Sequence, residues 1–473
     1  MQKGETTRDE KWARATYRDR MSVTAGTALP GPRGVAQIGF LRRILRDPQP
    51  VLDDLREQYG PLCGLGAGPM RVAVIGAPAM LDELFAMPND SFRWGHRFNV
   101  LGFVVGPGSM IVSDGADHQR RRSSVQTAFA IRRLQAWVPT IVERTDAAVD
   151  RLGAELAGRT ETVNLYPVGR RIVLEIVVRA LFGERLAARA QEIGDLFQRP
   201  QDYLESSAIR QFPHRIPLTK RARVRADRQA LDAILDAEIA HRRAHPDGDA
   251  GDTIGRLVHD ATMSDSEIRD QMVTLIGAGY DTTAASLAWM LWCAALEPSV
   301  WVRLRDEADR VFGPVGSGGT VDHSLVRQLE FADHVVRETL RLHPAGVIAP
   351  REAAMDVTVG GHVIKKGTLI LWSAHLAGRD PNSWTDPVRF DPDRFLDLTP
   401  EHKVLADHAW VPFGRGARNC IGFALAQMEL TLMISRLAQR LDVTPLVSEA
   451  PKPVGMVVNR PTGGVPMQVA LRA

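Results

Sequence analysis

The chain has 473 residues, 44% of them hydrophobic and 24% charged, with a formal net charge of +3. This is the composition of a globular protein, and so small a net charge gives no ground for nucleic acid or a membrane as the main partner. Three cysteines, Cys63, Cys293 and Cys420, lie far apart without a C-x-x-C, which argues against a zinc site or a disulfide framework and suits a reducing cytoplasm.

Residues 1–28 are rich in charged residues and lack the apolar core of a signal peptide; they are expected to form an N-terminal arm, flexible or loosely docked. Leu29-Pro-Gly-Pro-Arg-Gly34 is a turn-rich entry into one folded body, 29–473. A helix is predicted over 50–59, then two short strands at 62–65 and 71–75 around a Gly-Pro turn. The intervening Gly64-Leu-Gly-Ala-Gly68 invites a dinucleotide reading. A strand follows it, however, where that fingerprint needs a helix N-terminus to hold the pyrophosphate.

From Leu81 to Gly115 the pattern is irregular and aromatic, with Phe92, Trp94, Phe98 and Phe103, and reads as a packed loop. A helix from Asp117 to Phe129 puts His118 and Arg122 one turn apart on one face. Helices continue to about Arg243, except that 197–228 is less regular, rich in basic groups, and reads as a solvated surface joining two helices.

Ser264-Asp-Ser-Glu267 has the form of a capping box. The apolar positions Ile268, Met272, Leu275 and Ile276 continue a helix of about nine turns. Its middle, Gly277-Ala-Gly-Tyr-Asp-Thr-Thr283, is an odd choice for a buried helix: two glycines weaken it, and Asp281 and Thr282 place polar groups inside. Thr282 is expected to bond back to the carbonyl of Ala278. These residues suit a kink with a satisfied polar pair, or a groove beside a proton relay. The longest uncharged apolar run, Ala284 to Leu296, is too short to span a bilayer, so no transmembrane anchor is expected.

Further on, Glu338 and Arg341 share a helix face at i and i+3, and strands are predicted near 345–350 and 363–372. Phe413-Gly-Arg-Gly-Ala-Arg-Asn-Cys-Ile-Gly422 then sets Cys420 among glycines and arginines before an amphipathic helix carrying Ile421, Leu425, Met428 and Leu432. A thiolate near a helix N-terminus is favoured by the dipole and by open backbone N–H groups. Arg418 offers an anion a charge-assisted partner. The tail from Pro445 reads as strands joined by turns.

The pattern Phe413-x-x-Gly416-x-Arg418-x-Cys420-x-Gly422 resembles the haem-binding signature of the cytochromes P450. Ala278-Gly-x-Asp281-Thr282-Thr283 is similar to that family's oxygen-activation motif, Glu338-x-x-Arg341 to its Glu-x-x-Arg, and Phe390-Asp-Pro-Asp-Arg-Phe395 to its Pro-x-Arg-Phe segment. The resemblance covers the chain from about Leu29. It implies a mainly α fold with small β-sheets, a single stand-alone haem-thiolate domain of the soluble, bacterial type, in the cytoplasm.

The same resemblance implies haem b with Cys420 as axial iron ligand, shielded by Phe413 and tuned through glycines including Gly422. His118, Arg122, Arg351 and Arg418 would bind the propionates. Ala278 would border the oxygen groove, and Asp281 and Thr282 would relay protons. Glu338, Arg341 and Arg394 would form a structural network. The 81–115 region would lie over the haem, and 197–228 would act as a lid. The implied activity is monooxygenation of an apolar small molecule such as a lipid, steroid or terpenoid. Electrons would come from NAD(P)H through a ferredoxin and its reductase. Arg121, Arg132 and Arg133 are candidates for docking the ferredoxin, although a solvated helix face explains them too.

Overall fold

The computed structural model describes residues 29–44, 47–94, 100–206, 211, 216–245, 252–315, 321–396, 398–455 and 457–472; the arm expected at 1–28 lies outside them. The chain divides into two compact units. One holds the described residues up to Trp94 together with Arg337–Cys420, the other Gly95–Val336 with Ile421–Ala473.

The first unit is built on a five-stranded sheet. Leu62–Leu65 runs antiparallel to Val72–Ile75, which lies parallel to Leu369–Ser373; Ile348–Ala353 and then Phe92–Arg93 follow, each antiparallel to its neighbour. Strand alternation sorts the side chains. Cys63, Leu65 and Val74 face Val51, Leu52 and Leu55 of the helix Pro48–Tyr59. Leu62, Ala73 and Ile75 face Met80, Leu81 and Leu84 of the helix Pro78–Ala86. Burial pushes the Cys63 thiol up to about 12, so it is an inert core group. The glycine-rich turn belongs to a hairpin: Gly66 has φ 77°, and a Cβ there would sit 2.0 Å from the Met70 carbonyl oxygen.

Two sequence expectations change. The 81–115 stretch is not irregular throughout, because the helix Pro78–Ala86 runs into it and Val100–Val105 is a further helical turn and a half. Both segments are short, and the first opens on a proline at its first turn, which reads locally as a breaker although Pro is tolerated there. Likewise 197–204 and 220–228 are helical, as parts of Ala190–Leu204 and Lys220–Ala244. One of the basic groups there, Arg228, is buried against Asp232 at 2.6 Å and Asp270 at 2.5 Å rather than solvated.

A buried polar cluster in the first unit gives a pH-dependent prediction. His375 Nε2 lies 3.1 Å from Asp53 and its Nδ1 3.0 Å from Arg379. Burial, helped by Arg379, pushes the His375 imidazole down to about 4, and burial lowers His343 well below its ordinary range. Both rings are thus neutral in the fold and titrate near 6.5 when unfolded. The contribution of His375 is whole above about pH 6.5 and falls as the pH drops toward 4, by roughly 1.4 kcal/mol per pH unit, and His343 acts in the same direction. His375→Asn is expected to flatten the decline of unfolding free energy across that window in urea titrations; an unaltered slope would contradict the assignment.

In the second unit the helix Asp265–Leu296 is continuous and opens on the capping box, with Ser264 Oγ and Glu267 exchanging bonds with each other's backbone N–H. The helices Leu165–Ala187 and Phe423–Arg440 pack against it, and Ile131–Leu156 packs against those two. The strands Glu161–Asn164, Pro466–Leu471 and Leu441–Pro445 form a small sheet. Trp292 Nε1 donates to the Gly464 carbonyl at 2.8 Å and fastens the tail. Among the described residues, no single helix is long and apolar enough to cross a membrane.

Gly277 is explained by packing. A Cβ there would lie 2.6 Å from Phe197 Cζ, and Phe197 is itself buried. Gly277→Ala gains about 1 kcal/mol of helix propensity but forces a packed ring aside, which costs about 1–3 kcal/mol. A net loss of about 1 kcal/mol is expected in urea denaturation; a stabilised variant would show that Phe197 yields freely.

Candidate active site

In the first unit, the segment Phe413–Cys420 is a closed loop, with Cys420 N donating to the Phe413 carbonyl at 2.8 Å. Gly414 and Gly416 have φ of 64° and 73°, and a Cβ on Gly416 would come 2.6 Å from the Phe85 carbonyl oxygen. These two positions therefore demand glycine. Gly422 does not: its φ is −92°, and an added Cβ would meet only Phe129, at 3.6 Å. Gly422 is the N-cap of Phe423–Arg440, so Cys420 precedes the helix by a few residues. Unlike Cys63 and Cys293, which are buried, Cys420 is exposed. The ring of Phe413 packs edge-on to Trp410, 5.8 Å between centroids.

The loop's two arginines have different partners. Arg415 bonds Asp82 at 2.9 Å, locking the loop to the helix Pro78–Ala86. Arg418 lies over the Trp94 ring at 3.9 Å. Arg351 approaches the same ring at 5.3 Å and Phe92 at 4.9 Å. It is buried, with its Nε unpartnered, and makes no ion pair among the described residues. Burial, reinforced by the charge of Arg418, pushes its guanidinium down to about 10. A buried cation beside a second cation is costly unless an anion completes the site. The donor set therefore fits a carboxylate-bearing group. Trp94, set against both guanidiniums, had no signal in the sequence beyond being one of several aromatics.

Glu338 binds Arg341 through two bonds of 2.7 and 2.8 Å, both side chains being fully buried, and Arg394 Nε reaches the same carboxylate at 3.2 Å. The guanidiniums also gather carbonyls: Arg341 takes those of Gly378, Pro387 and Arg389, and Arg394 takes those of Thr385, Asp386 and Arg389. One acid thus organises a loop of irregular backbone far from it in sequence.

In the second unit, the helix Asp265–Leu296 is buried at every position from Gln271 to Ala295 except four: Ala278 is exposed, and Gly277, Gly279 and Thr282 are partly so. Ala278 and Thr282 are one turn apart on one face. Thr282 Oγ1 donates to the Ala278 carbonyl at 2.6 Å. Asp281 is buried and paired with Arg460 from the C-terminal hairpin. That partner, 179 residues away, had no local sequence signal.

His118 is buried and Arg122 half-buried on the helix Gly115–Gln126, one turn apart. Arg121 on the same helix corrects an expectation. Its side chain is only 12% exposed, bound to Glu267 at 2.9 Å and to the Pro107 carbonyl at 3.2 Å. It is spent on internal contacts and is not open for docking a partner. Arg132 is exposed.

The sequence model of the cytochrome P450 family matches residues 29–466, nearly the whole chain. The chain belongs to the cytochrome P450 family. It is 34% identical over 388 residues to cytochrome P450 139 of Mycobacterium bovis, covering 80% of this chain and 87% of that one. It is 29% identical over 431 residues to the cyclooctat-9-en-7-ol 5-monooxygenase of Streptomyces melanosporofaciens, covering 89% and 90%. The fold is that of the retinoic acid bound cyanobacterial CYP120A1, with a TM-score of 0.81 at 24% identity over 95% of this chain and all of that one. The mainly α architecture with small sheets is therefore a P450 fold. Membership in this family implies a haem cofactor and monooxygenase-type oxidoreductase chemistry in general terms.

Proposed function

We propose that this P450 is a haem-thiolate monooxygenase that places one oxygen atom from dioxygen into an apolar small molecule, with Cys420 as the ligand to the iron of haem b. The observation that carries this reading is the opening at Gly277, Ala278, Gly279 and Thr282 in a helix buried at every other position from Gln271 to Ala295, with the Asp281 carboxylate buried beside it. A helix opened only at small residues and a hydroxyl suits a small gaseous reactant and a guided proton better than bulk water.

The exposed Cys420, near a helix N-terminus, is positioned to be a thiolate. Arg351 and Arg418 would supply cations for the propionates, and His118 and Arg122 would supply further donors. Phe413 would shield the sulfur, and Gly422 would leave backbone N–H groups open toward it. Ala278 leaves room on the helix, and Asp281 and Thr282 hold and pass protons at their carboxylate and hydroxyl oxygens. Glu338, Arg341 and Arg394 hold the fold. When bound, haem supplies a thiolate-ligated iron that activates dioxygen.

Electrons are assigned to NAD(P)H through a ferredoxin and its reductase in the cytoplasm. Arg132→Glu is expected to slow ferredoxin-dependent reduction several-fold at low salt, with the effect fading as salt rises. Unchanged low-salt rates in a stopped-flow experiment would remove Arg132 from the docking surface. A lipid, steroid or terpenoid substrate is supported by the relative named for oxidising cyclooctat-9-en-7-ol, an alkenol. Substrates found by spin-state titration should, in turnover under labelled dioxygen, acquire a single labelled oxygen; a product without label would contradict the proposal.

A further inference from the structure

Asp281 does not offer two equivalent oxygens. Its Oδ2 accepts from Arg460 Nη2, while Oδ1 is buried without a hydrogen-bond partner. The arginine is fixed at its backbone. It lies on the strand Arg460–Pro461, paired with Pro453–Val454. The preceding carbonyl, of Asn459, accepts Trp289 Nε1 at 3.1 Å. Trp289 stands eight residues after Asp281 on the same helix, so one helix face grips adjacent residues of the hairpin through a carboxylate and an indole. The Glu205 carboxylate takes the backbone N–H groups of Val457 and Val458, at 3.2 and 2.9 Å, and secures the hairpin from the helix Ala190–Leu204 side.

The charge of Asp281 also acts on Tyr280 from its own helix and on Tyr166 from the helix Leu165–Ala187, which carries Arg170 as well. Arg170 lies over both phenol rings, at 5.0 and 5.8 Å. The Tyr166 phenol is pushed up to about 12 by burial and by the charge of Asp281, and its hydroxyl is buried without a partner. It therefore keeps its proton.

We propose that Arg460 is a positioning residue for proton delivery: by occupying Oδ2 it makes Oδ1 the oxygen that receives a proton from water and releases it toward Thr282. The inference rests on the reading of Asp281 as the relay acid. One proton enters and one leaves at Oδ1; while it is held the acid is neutral and Arg460 keeps only its hydrogen bond to Oδ2, the carboxylate and its ion pair are regenerated when it leaves, and no electron moves.

The test compares Arg460→Gln, Arg460→Lys and Asp281→Asn in the haem-loaded protein. It reads product formation, the solvent deuterium isotope effect on it, the reduced carbon monoxide spectrum, and the Asp281 carboxylate infrared band located by difference against Asp281→Asn. Arg460→Gln should shift that band, cut product formation roughly tenfold and raise the isotope effect while leaving the carbon monoxide spectrum intact, and Arg460→Lys should recover most of the loss. If Asp281→Asn impairs turnover but Arg460→Gln leaves the rate, isotope effect and band at wild-type values, the role of Arg460 is overturned and the relay stands. If Asp281→Asn is itself without effect, the relay reading fails and takes this inference with it. Should Arg460→Gln not fold, Arg460→Lys decides through the carboxylate band, because an ammonium keeps the charge but changes the hydrogen bond at Oδ2: a shifted band supports the role, and a wild-type band overturns it.

Discussion

Glu338→Gln is expected to give little or no folded, haem-loaded protein. The carboxylate of Glu338 is the shared counter-charge of Arg341 and Arg394, and it accepts the backbone N–H of Asp391 at 2.9 Å. Arg341 and Glu338 have no side-chain exposure, so water cannot replace what is lost. Breaking a buried pair by removing one partner costs about 3–5 kcal/mol, against a total stability of about 5–15 kcal/mol for a typical domain. Here two guanidiniums lose their anion together. Expression yield, haem content and thermal midpoint should fall in parallel; wild-type values of all three would show that the carbonyls gathered by Arg341 and Arg394 suffice to hold the loop.

Thr282→Ala is expected to separate reductant consumption from product formation. The hydroxyl caps the exposed strip of its helix and is held by the Ala278 carbonyl at 2.6 Å, which fixes its rotamer and leaves its acceptor lone pairs free for a proton donor. Alanine fits the helix, so folding should be spared. Loss of a positioned proton carrier costs about 10²–10⁴-fold at most, and leakage around it makes a tenfold or larger fall in product yield the expected reading. NAD(P)H oxidation should continue, with hydrogen peroxide appearing in place of product. Undiminished product per NAD(P)H would remove Thr282 from the relay.

Local chemistry was the legible part of this chain. The capping box at Ser264, the hairpin around Gly66 and the helix after Cys420 are set by neighbours within a few residues, so spacing alone placed them. The contiguous motifs also placed Asp281, Thr282 and Cys420 on their elements. What the sequence hid depends on distant partners. Arg228 and Arg121 read as surface charge because their anions, Asp270 and Glu267, lie far along the chain. Arg460 meets Asp281, and Trp94 meets Arg351 and Arg418, only through tertiary folding. Gly277 reads as a local weakness of the helix, while the Phe197 ring packed against it makes it a packing requirement.

The central claim, that Cys420 ligates haem iron, is tested most directly by the absorption spectrum of the dithionite-reduced carbon monoxide complex. The wild-type protein should show the strongly red-shifted Soret band of thiolate ligation, and Cys420→Ala should lose it. A wild-type spectrum of the histidine-ligated kind, or a red-shifted band that survives Cys420→Ala, would contradict the account.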